Sequence, residues 1–240
     1  MAGAGFVAGA MNAVAGSGSL LTFPLLLALG YSPLTANISN NVGLVVGNFS
    51  ATYGYRRELR GTWRRALSLA CCSLVGGVIG AVLLLALPHR VFAVVVPALI
   101  LLAILLMLLQ PWLARRRAAP QLSPKRWGVL GAGVGATGIY GGYFGAAQGV
   151  MLIAVLGVFI KESLQRLNAL KNVLASTANG AAAVVFIVVA HVAWAPALVI
   201  AGSSLLGGQL GAGVGRRLPA PVLRGVIVIG GLAAVVKLLA

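Results

Sequence analysis

The chain has 240 residues, of which 60% are apolar and 33 are glycine, with 18 Lys and Arg against two acids for a formal charge of +16. Only 8% of the residues are charged, where a soluble domain carries about 25%, so a soluble globular fold is excluded. The apolar content excludes disorder, and long unbroken apolar runs exclude a β-barrel, whose strands alternate with period two. An all-α, polytopic helical membrane protein remains.

A bilayer core needs about 20 helical residues per crossing, and the uncharged runs convert to spans on that scale. The first run begins without a basic flank, so no cleavable signal peptide is expected. Its opening stretch, 1–29, is broken by Gly16-Ser17-Gly18-Ser19; a turn at Gly30-Tyr31-Ser32-Pro33 then leads into a span over 37–54. The runs 66–89 and 91–114 hold one span each, and a basic linker, 115–127, follows. The stretch 128–160 is again Gly-rich, broken by Gly141-Gly142-Tyr143-Phe144-Gly145. The run 172–215 holds two spans with a turn at His191 to Pro196, where proline interrupts or begins a helix. A last span covers 222–239, with Lys237 snorkelling to the surface. Each broken stretch is either one kinked span or a pair of half-helices that enter the membrane and return to the same face. The total is then eight spans, or six full spans plus two re-entrant segments.

Shifting the chain on itself by 131 positions aligns 37–108 with 168–239 without a gap. Asn37, Asn41 and Asn48 fall on Asn168, Asn172 and Asn179, and Trp63 falls on Trp194. Ser73, Gly76, Gly77 and Gly80 fall on Ser204, Gly207, Gly208 and Gly211, and Leu87-Pro88 on Leu218-Pro219. The chain is therefore a tandem duplication, with one transmembrane repeat over 1–114 and a second over 128–240. Eight full spans would make the repeats parallel and split the basic loops of the second half from those of the first. Two re-entrant segments invert the repeats and gather the loop charges on one face, with only Arg90 and Lys237 opposite. Retention of Lys and Arg on the cytoplasmic side favours the inverted arrangement.

On a helix, positions i, i+4 and i+11 share one face, so Asn37, Asn41 and Asn48 form a polar stripe that Asn168, Asn172 and Asn179 repeat. Carboxamides facing lipid leave donors and acceptors unpaired, so both stripes are expected to face inward, as interhelical glue or as a substrate pathway. Lys171 stands beside the second stripe, where the first repeat has the neutral Asn40. It either snorkels to the headgroups or points inward as an anion site. Unwound backbone at Gly16, Ser17, Gly18 and Ser19, and at Gly145 to Gly149 with Gln148 between, exposes N–H groups and helix N-termini that suit carboxylate, sulfonate or phosphate. Gly76-x3-Gly80 and Gly207-x3-Gly211 are expected to serve close packing.

An enzyme is not expected: the chain has no Asp, and neither Glu58 nor Glu162 lies deep in an apolar run. Cys71 and Cys72 lack the partners that a metal site or disulfide needs, so neither cofactor nor metal is expected. The basic excess belongs to topology and lipid headgroups rather than to nucleic acid.

Three segments resemble the sulfite exporter TauE/SafE family of membrane permeases: Asn12-Ala13-Val14-Ala15-Gly16-Ser17-Gly18-Ser19-Leu20-Leu21-Thr22-Phe23-Pro24, Gly138 to Gly149, and Leu167-Asn168-Ala169-Leu170-Lys171-Asn172. The first departs from the family's usual Gly-Gly-Gly core, reading Gly16-Ser17-Gly18. The resemblance implies a small, duplicated permease of a bacterial-type inner membrane that moves a sulfur-containing anion such as sulfite or an organosulfonate. Through these motifs Asn12, Tyr143 and Gly149 join the candidate substrate-binding set of Gly and Ser residues, Asn stripes and Lys171. The expected partners are a small anion and the lipid bilayer, and self-association into a homo-oligomer is compatible with the pattern.

Overall fold

The computed structural model describes residues 1–113 and 123–214. Within them the chain is helical, without strands: α1 Ala2–Val14, α2 Ser19–Ala28, α3 Pro33–Gly54, α4 Trp63–Ala86, α5 His89–Leu113, α6 Pro124–Tyr143, α7 Gln148–Phe159, α8 Leu164–Val189 and α9 Trp194–Val214. The expected span over 222–239, the Leu218-Pro219 end of the repeat, and the cations Arg115 to Arg117, Arg216, Arg217, Arg224 and Lys237 lie outside the described residues. α6 begins at Pro124, so helix extends into the stretch assigned to the basic linker.

The helix starts follow from local chemistry. Ser32, Ser123 and Ser163 each stand at an N-cap in extended backbone, and their hydroxyls accept from the N–H groups of Thr35, Arg126 and Arg166. Pro33 and Pro124 occupy the first helical position, where the missing N–H costs nothing. Adding 131 to the first residues of α3 and α4 gives the first residues of α8 and α9.

Among the described residues, three helices are long and apolar enough to cross a membrane, Trp63–Ala86, Leu164–Val189 and Trp194–Gly213. α3 has 22 residues but carries four asparagines that dilute its apolar character. Polarity is distributed inside out. Large apolar side chains such as Leu67, Val75 and Val82 of α4, Val184 and Val188 of α8, and Leu198 and Leu206 of α9 are exposed, whereas Asn37, Asn40, Asn168, Asn172 and Lys171 are buried. A hydrocarbon surround selects this pattern, because only the interior offers partners to polar groups.

Contacts along the helices fix their relative directions. Gly5 of α1 faces Ser203 while Ala10 faces Gly211, and Gly43 of α3 faces Ala197 while Gly54 faces Ala212, so α1, α3 and α9 run parallel. In the same way Gly76 faces Gly135 and Gly80 faces Ile139, while Ser73 Oγ donates to the Leu174 carbonyl and Gly77 faces Ala178; α4, α6 and α8 run parallel. Between the two trios the sense reverses, since Thr52 meets Ser176 at 2.8 Å while Gly180 faces Val45 and Phe49. The glycine pairs read as close-packing residues do that work: a Cβ at Gly76, Gly80, Gly207 or Gly211 would run into the backbone of α6 or α1.

The two broken stretches are hairpins of unequal arms. α2 returns alongside α3, where the Thr22 hydroxyl donates to Asn40 Oδ1, and the turn at Gly30 (φ +88°) delivers the chain to the start of α3. The second break falls at 144–147, after Gly141 and Gly142, which remain helical because their bare faces press against the Gln148 side chain and the Gly77 carbonyl. The loop after α3, the start of α6 and the α7–α8 turn share one end of the molecule. Glu162 there bonds Arg166 at 3.1 Å and approaches Arg65 at 3.6 Å, and the Arg126 guanidinium lies 5.9 Å from the Phe159 ring.

Candidate functional site

Both breaks turn through glycine in the left-handed region, Gly16 at φ +71° and Gly145 at φ +75°, a conformation that other residues adopt at a cost. Each donates its N–H five residues back at 3.0 Å, Gly16 to the Met11 carbonyl and Gly145 to that of Tyr140. The breaks are thus equivalent at a spacing of 129, two residues short of the helix repeat. They also touch: the Gly149 N–H donates to the Gly16 carbonyl at 3.3 Å, and a Cβ on either glycine would strike the other's backbone.

A helix that ends in the protein interior leaves carbonyls without partners and a negative dipole end. Side chains of α8 supply what α1 lacks. Lys171 Nζ donates to the carbonyls of Asn12 at 2.8 Å and Ala13 at 3.2 Å, and the amides of Asn168 and Asn172 also donate to Ala13, at 3.0 and 3.2 Å. In return, Asn37 of the first repeat donates to the Tyr143 carbonyl at the end of α6, at 2.9 Å. Lys171 is 0% exposed, so it points inward and does not snorkel.

Between the breaks lies a small pocket of about 20 Å³, room for about one water molecule. Asn41 and Asn48 of α3 and Asn179 of α8 line it, together with Asn12, Gly16 and Gly145. The first residues of α2 and α7, Ser19 and Gln148, line it too, beside Gly149, so two positive dipole ends face the same space. Asn41 Oδ1, Asn179 Oδ1 and Gln148 Oε1 are buried with no hydrogen-bond partner. Each such atom costs about 1–3 kcal/mol unless something fills the space and bonds it. Gln148 cannot turn freely, because its amide nitrogen donates to the Thr137 carbonyl at 3.2 Å.

The pocket gathers part of the expected set. Asn37, Asn168, Asn172 and Lys171 are not on its wall; they hold the helix ends that form it. Tyr143 contributes its carbonyl, while its ring packs on Phe92 with centroids 5.8 Å apart. Ser17 is fully buried with an unpartnered hydroxyl outside the lining, and Gly18 donates its N–H to Asn12 Oδ1 at 2.6 Å. The backbone donors expected to hold an anion are largely committed: the N–H groups of Gly16, Gly18, Gly145, Gln148 and Gly149 all have protein acceptors. Side-chain amides and helix ends are what remain for a ligand. Sequence reasoning passed over Asn40, which lines the pocket; its signal was its place opposite Lys171 in the repeat. Phe144, whose ring meets Phe23 edge-on at 5.4 Å, also lines the pocket and carried no polar signal.

A family model described as "Sulfite exporter TauE/SafE" matches residues 1–238. Among similar proteins, the probable membrane transporter protein YfcA of Escherichia coli K12 is 30% identical over 213 residues, covering 88% of this chain and 77% of its own. A probable membrane transporter protein of Haemophilus influenzae is 28% identical, covering 94% of this chain and 88% of its own. The probable membrane transporter protein ORF9 of a Sinorhizobium species is 27% identical, with coverages of 99% and 90%. No solved structure matches significantly.

Proposed function

Because the chain belongs to the sulfite exporter TauE/SafE family of membrane transporters, we propose that it moves a small sulfur-containing oxyanion, such as sulfite or an organosulfonate, through the pocket between the two breaks. The carrying observation is the set of buried amides with unpaired ends, Asn41, Asn179 and Gln148, facing two helix N-termini. An oxyanion entering this space accepts from carboxamide N–H groups once Asn41 and Asn179 turn, while the dipoles of α2 and α7 and the charge of Lys171 behind the wall offset its own. At one water's volume the pocket is too small for the anion, and transport widens it toward one face and then the other.

In this reading the repeats are inverted. Among the described residues α3, α4, α5, α8 and α9 are full spans, and α1–α2 and α6–α7 are re-entrant hairpins whose tips meet near the midplane. The antiparallel pairing of α3 with α8 supports it, as does the shared end of Arg65, Arg126 and Glu162. That basic end is cytoplasmic by the positive-inside rule, in a bacterial inner membrane.

Sulfite exchange into proteoliposomes tests the transport reading: Asn41→Ala and Asn179→Ala should each slow it at least about tenfold, the worth of one lost charge-assisted hydrogen bond. Exchange at the wild-type rate in both would remove the pocket from the pathway. Single cysteines at Gly30→Cys and Lys161→Cys, in a background lacking Cys71 and Cys72, test the topology. Impermeant reagents should reach them from opposite faces, and labelling from the same face would restore the parallel arrangement.

A further inference from the structure

Lys171 is the one fully buried basic side chain among the described residues, and nothing acidic meets it. Its environment can be enumerated element by element. α1 and α7 carry no ionisable side chain, and α3 carries only Tyr53, at its exposed end. α4 contributes Arg64, Arg65, Cys71 and Cys72 toward the basic end, and α6 contributes Lys125, Arg126, Tyr140 and Tyr143. Tyr140 donates its hydroxyl to the Ala146 carbonyl at 2.6 Å. On α8 itself Arg166 pairs with Glu162 at the surface. Among the described residues Lys171 therefore has no counter-ion, a costly state for a lone ammonium inside a membrane.

Its hydrogen bonds point to how that state is avoided. Nζ has two acceptors, the carbonyls of Asn12 and Ala13. A neutral amine has two N–H bonds to give, whereas an ammonium has three. The two carbonyls take both N–H bonds of an amine, whereas an ammonium has a third N–H to place and a charge that no described acid matches. Lys171 also lies close to the pocket, since a Cβ on the pocket residue Gly149 would be 2.9 Å from Lys171 Cδ. In the first repeat the same position is Asn40, which cannot titrate and which accepts from the Thr22 hydroxyl instead.

We infer that Lys171 couples anion transport to protons, alternating between an amine in the empty pocket and an ammonium when an anion occupies it. This rests on the permease reading above. When the anion enters, the Nζ lone pair takes one proton from water on the open side, and the new N–H bond and positive charge face the anion's negative charge. On the other side the anion leaves, the N–H bond breaks, and the proton passes to water, restoring the amine and its two carbonyl bonds. One monovalent anion and one proton cross per cycle with no net charge moved. Lys171 acts from behind the wall as a positioning and coupling residue.

The test uses the full-length protein in liposomes loaded with a pH-sensitive dye, with methanesulfonate as probe because it stays anionic throughout; sulfite in alkaline medium replaces it if only sulfite exchanges. Adding the anion outside should acidify the lumen of wild-type vesicles. An inward proton gradient of one pH unit should drive about tenfold accumulation. Lys171→Arg keeps the charge and donors but cannot release a proton, so its accumulation should not respond to the gradient, and Lys171→Met should behave likewise. Wild-type exchange that ignores the gradient overturns the coupling and leaves the permease reading standing. Gradient-driven accumulation by Lys171→Arg equal to wild type overturns the assignment to Lys171. Absence of any wild-type exchange of either anion overturns both readings together.

Discussion

Replacing Gly16 with alanine should cost the fold about 2–5 kcal/mol, and the structure supplies both parts of that figure. Holding a non-glycine residue at φ +71° costs about 1–2 kcal/mol. The added methyl also has nowhere to go: it would sit against Gly149 Cα, 2.8 Å from Gly149 N and 3.2 Å from its carbonyl carbon, and overpacking of this kind costs about 1–3 kcal/mol. In a chain of this size each kcal/mol lowers the melting temperature by about 2–4 °C, so intrinsic fluorescence of the protein in detergent should report a drop of about 4–20 °C. Gly202→Ala is the control, because its Cβ meets nothing within 4 Å and alanine favours the helix by about 0.5–1 kcal/mol. Gly149→Ala fills the same space from the other side, so the double variant should depart from additivity by about 0.5–3 kcal/mol. A melting temperature for Gly16→Ala equal to that of Gly202→Ala would refute the tip-to-tip contact, and additivity of the pair would show that the two methyls do not compete for one space.

Asn41→Ala should leave the melting temperature within about 2 °C of wild type while slowing flux, since its Oδ1 has no partner to lose; a large destabilisation with normal flux would make it a structural residue. Asn168→Ala removes one of several donors to the Ala13 carbonyl and should cost about 0.6 kcal/mol, the average for such bonds in membranes, again by thermal melting. Arg65→Ala breaks a half-exposed contact with Glu162, which keeps Arg166, and should change stability by about 0–1 kcal/mol. Cys71 is exposed on α4 eight residues past Trp63, so in intact membranes it should react with a lipid-soluble maleimide and resist a charged thiosulfonate; equal labelling by both would put that face of α4 in water.

The sequence made the helices legible where a periodic or covalent constraint acts locally. Ser32-Pro33 announces α3, the turn before Pro196 separates α8 from α9, and the spacing of 131 pairs α3 with α8 and α4 with α9. The asparagine stripe was legible in azimuth and not in depth: 100° per residue says which face Asn37, Asn41 and Asn48 share, but nothing local says that Asn37 reaches the end of α6 while Asn41 and Asn48 reach the pocket. The second break was legible at Gly145 but not in its bounds, because its last turn is made by Ala147 at φ +57° and helix resumes at Gln148. Gly141 and Gly142, which look like breakers, are instead helix positions stripped bare to admit neighbours. Lys171 showed itself as an anomaly, yet only the fold reveals that its partners belong to the opposite repeat.

The meeting of Gly16 and Gly149 has one more consequence. At that one contact main chain meets main chain, so no rotamer is available there to absorb a displacement. A displacement of one tip would therefore press directly on the other. Small molecules aimed at arresting such a machine would do best as wedges beside that point, where a few atoms suffice to jam both levers.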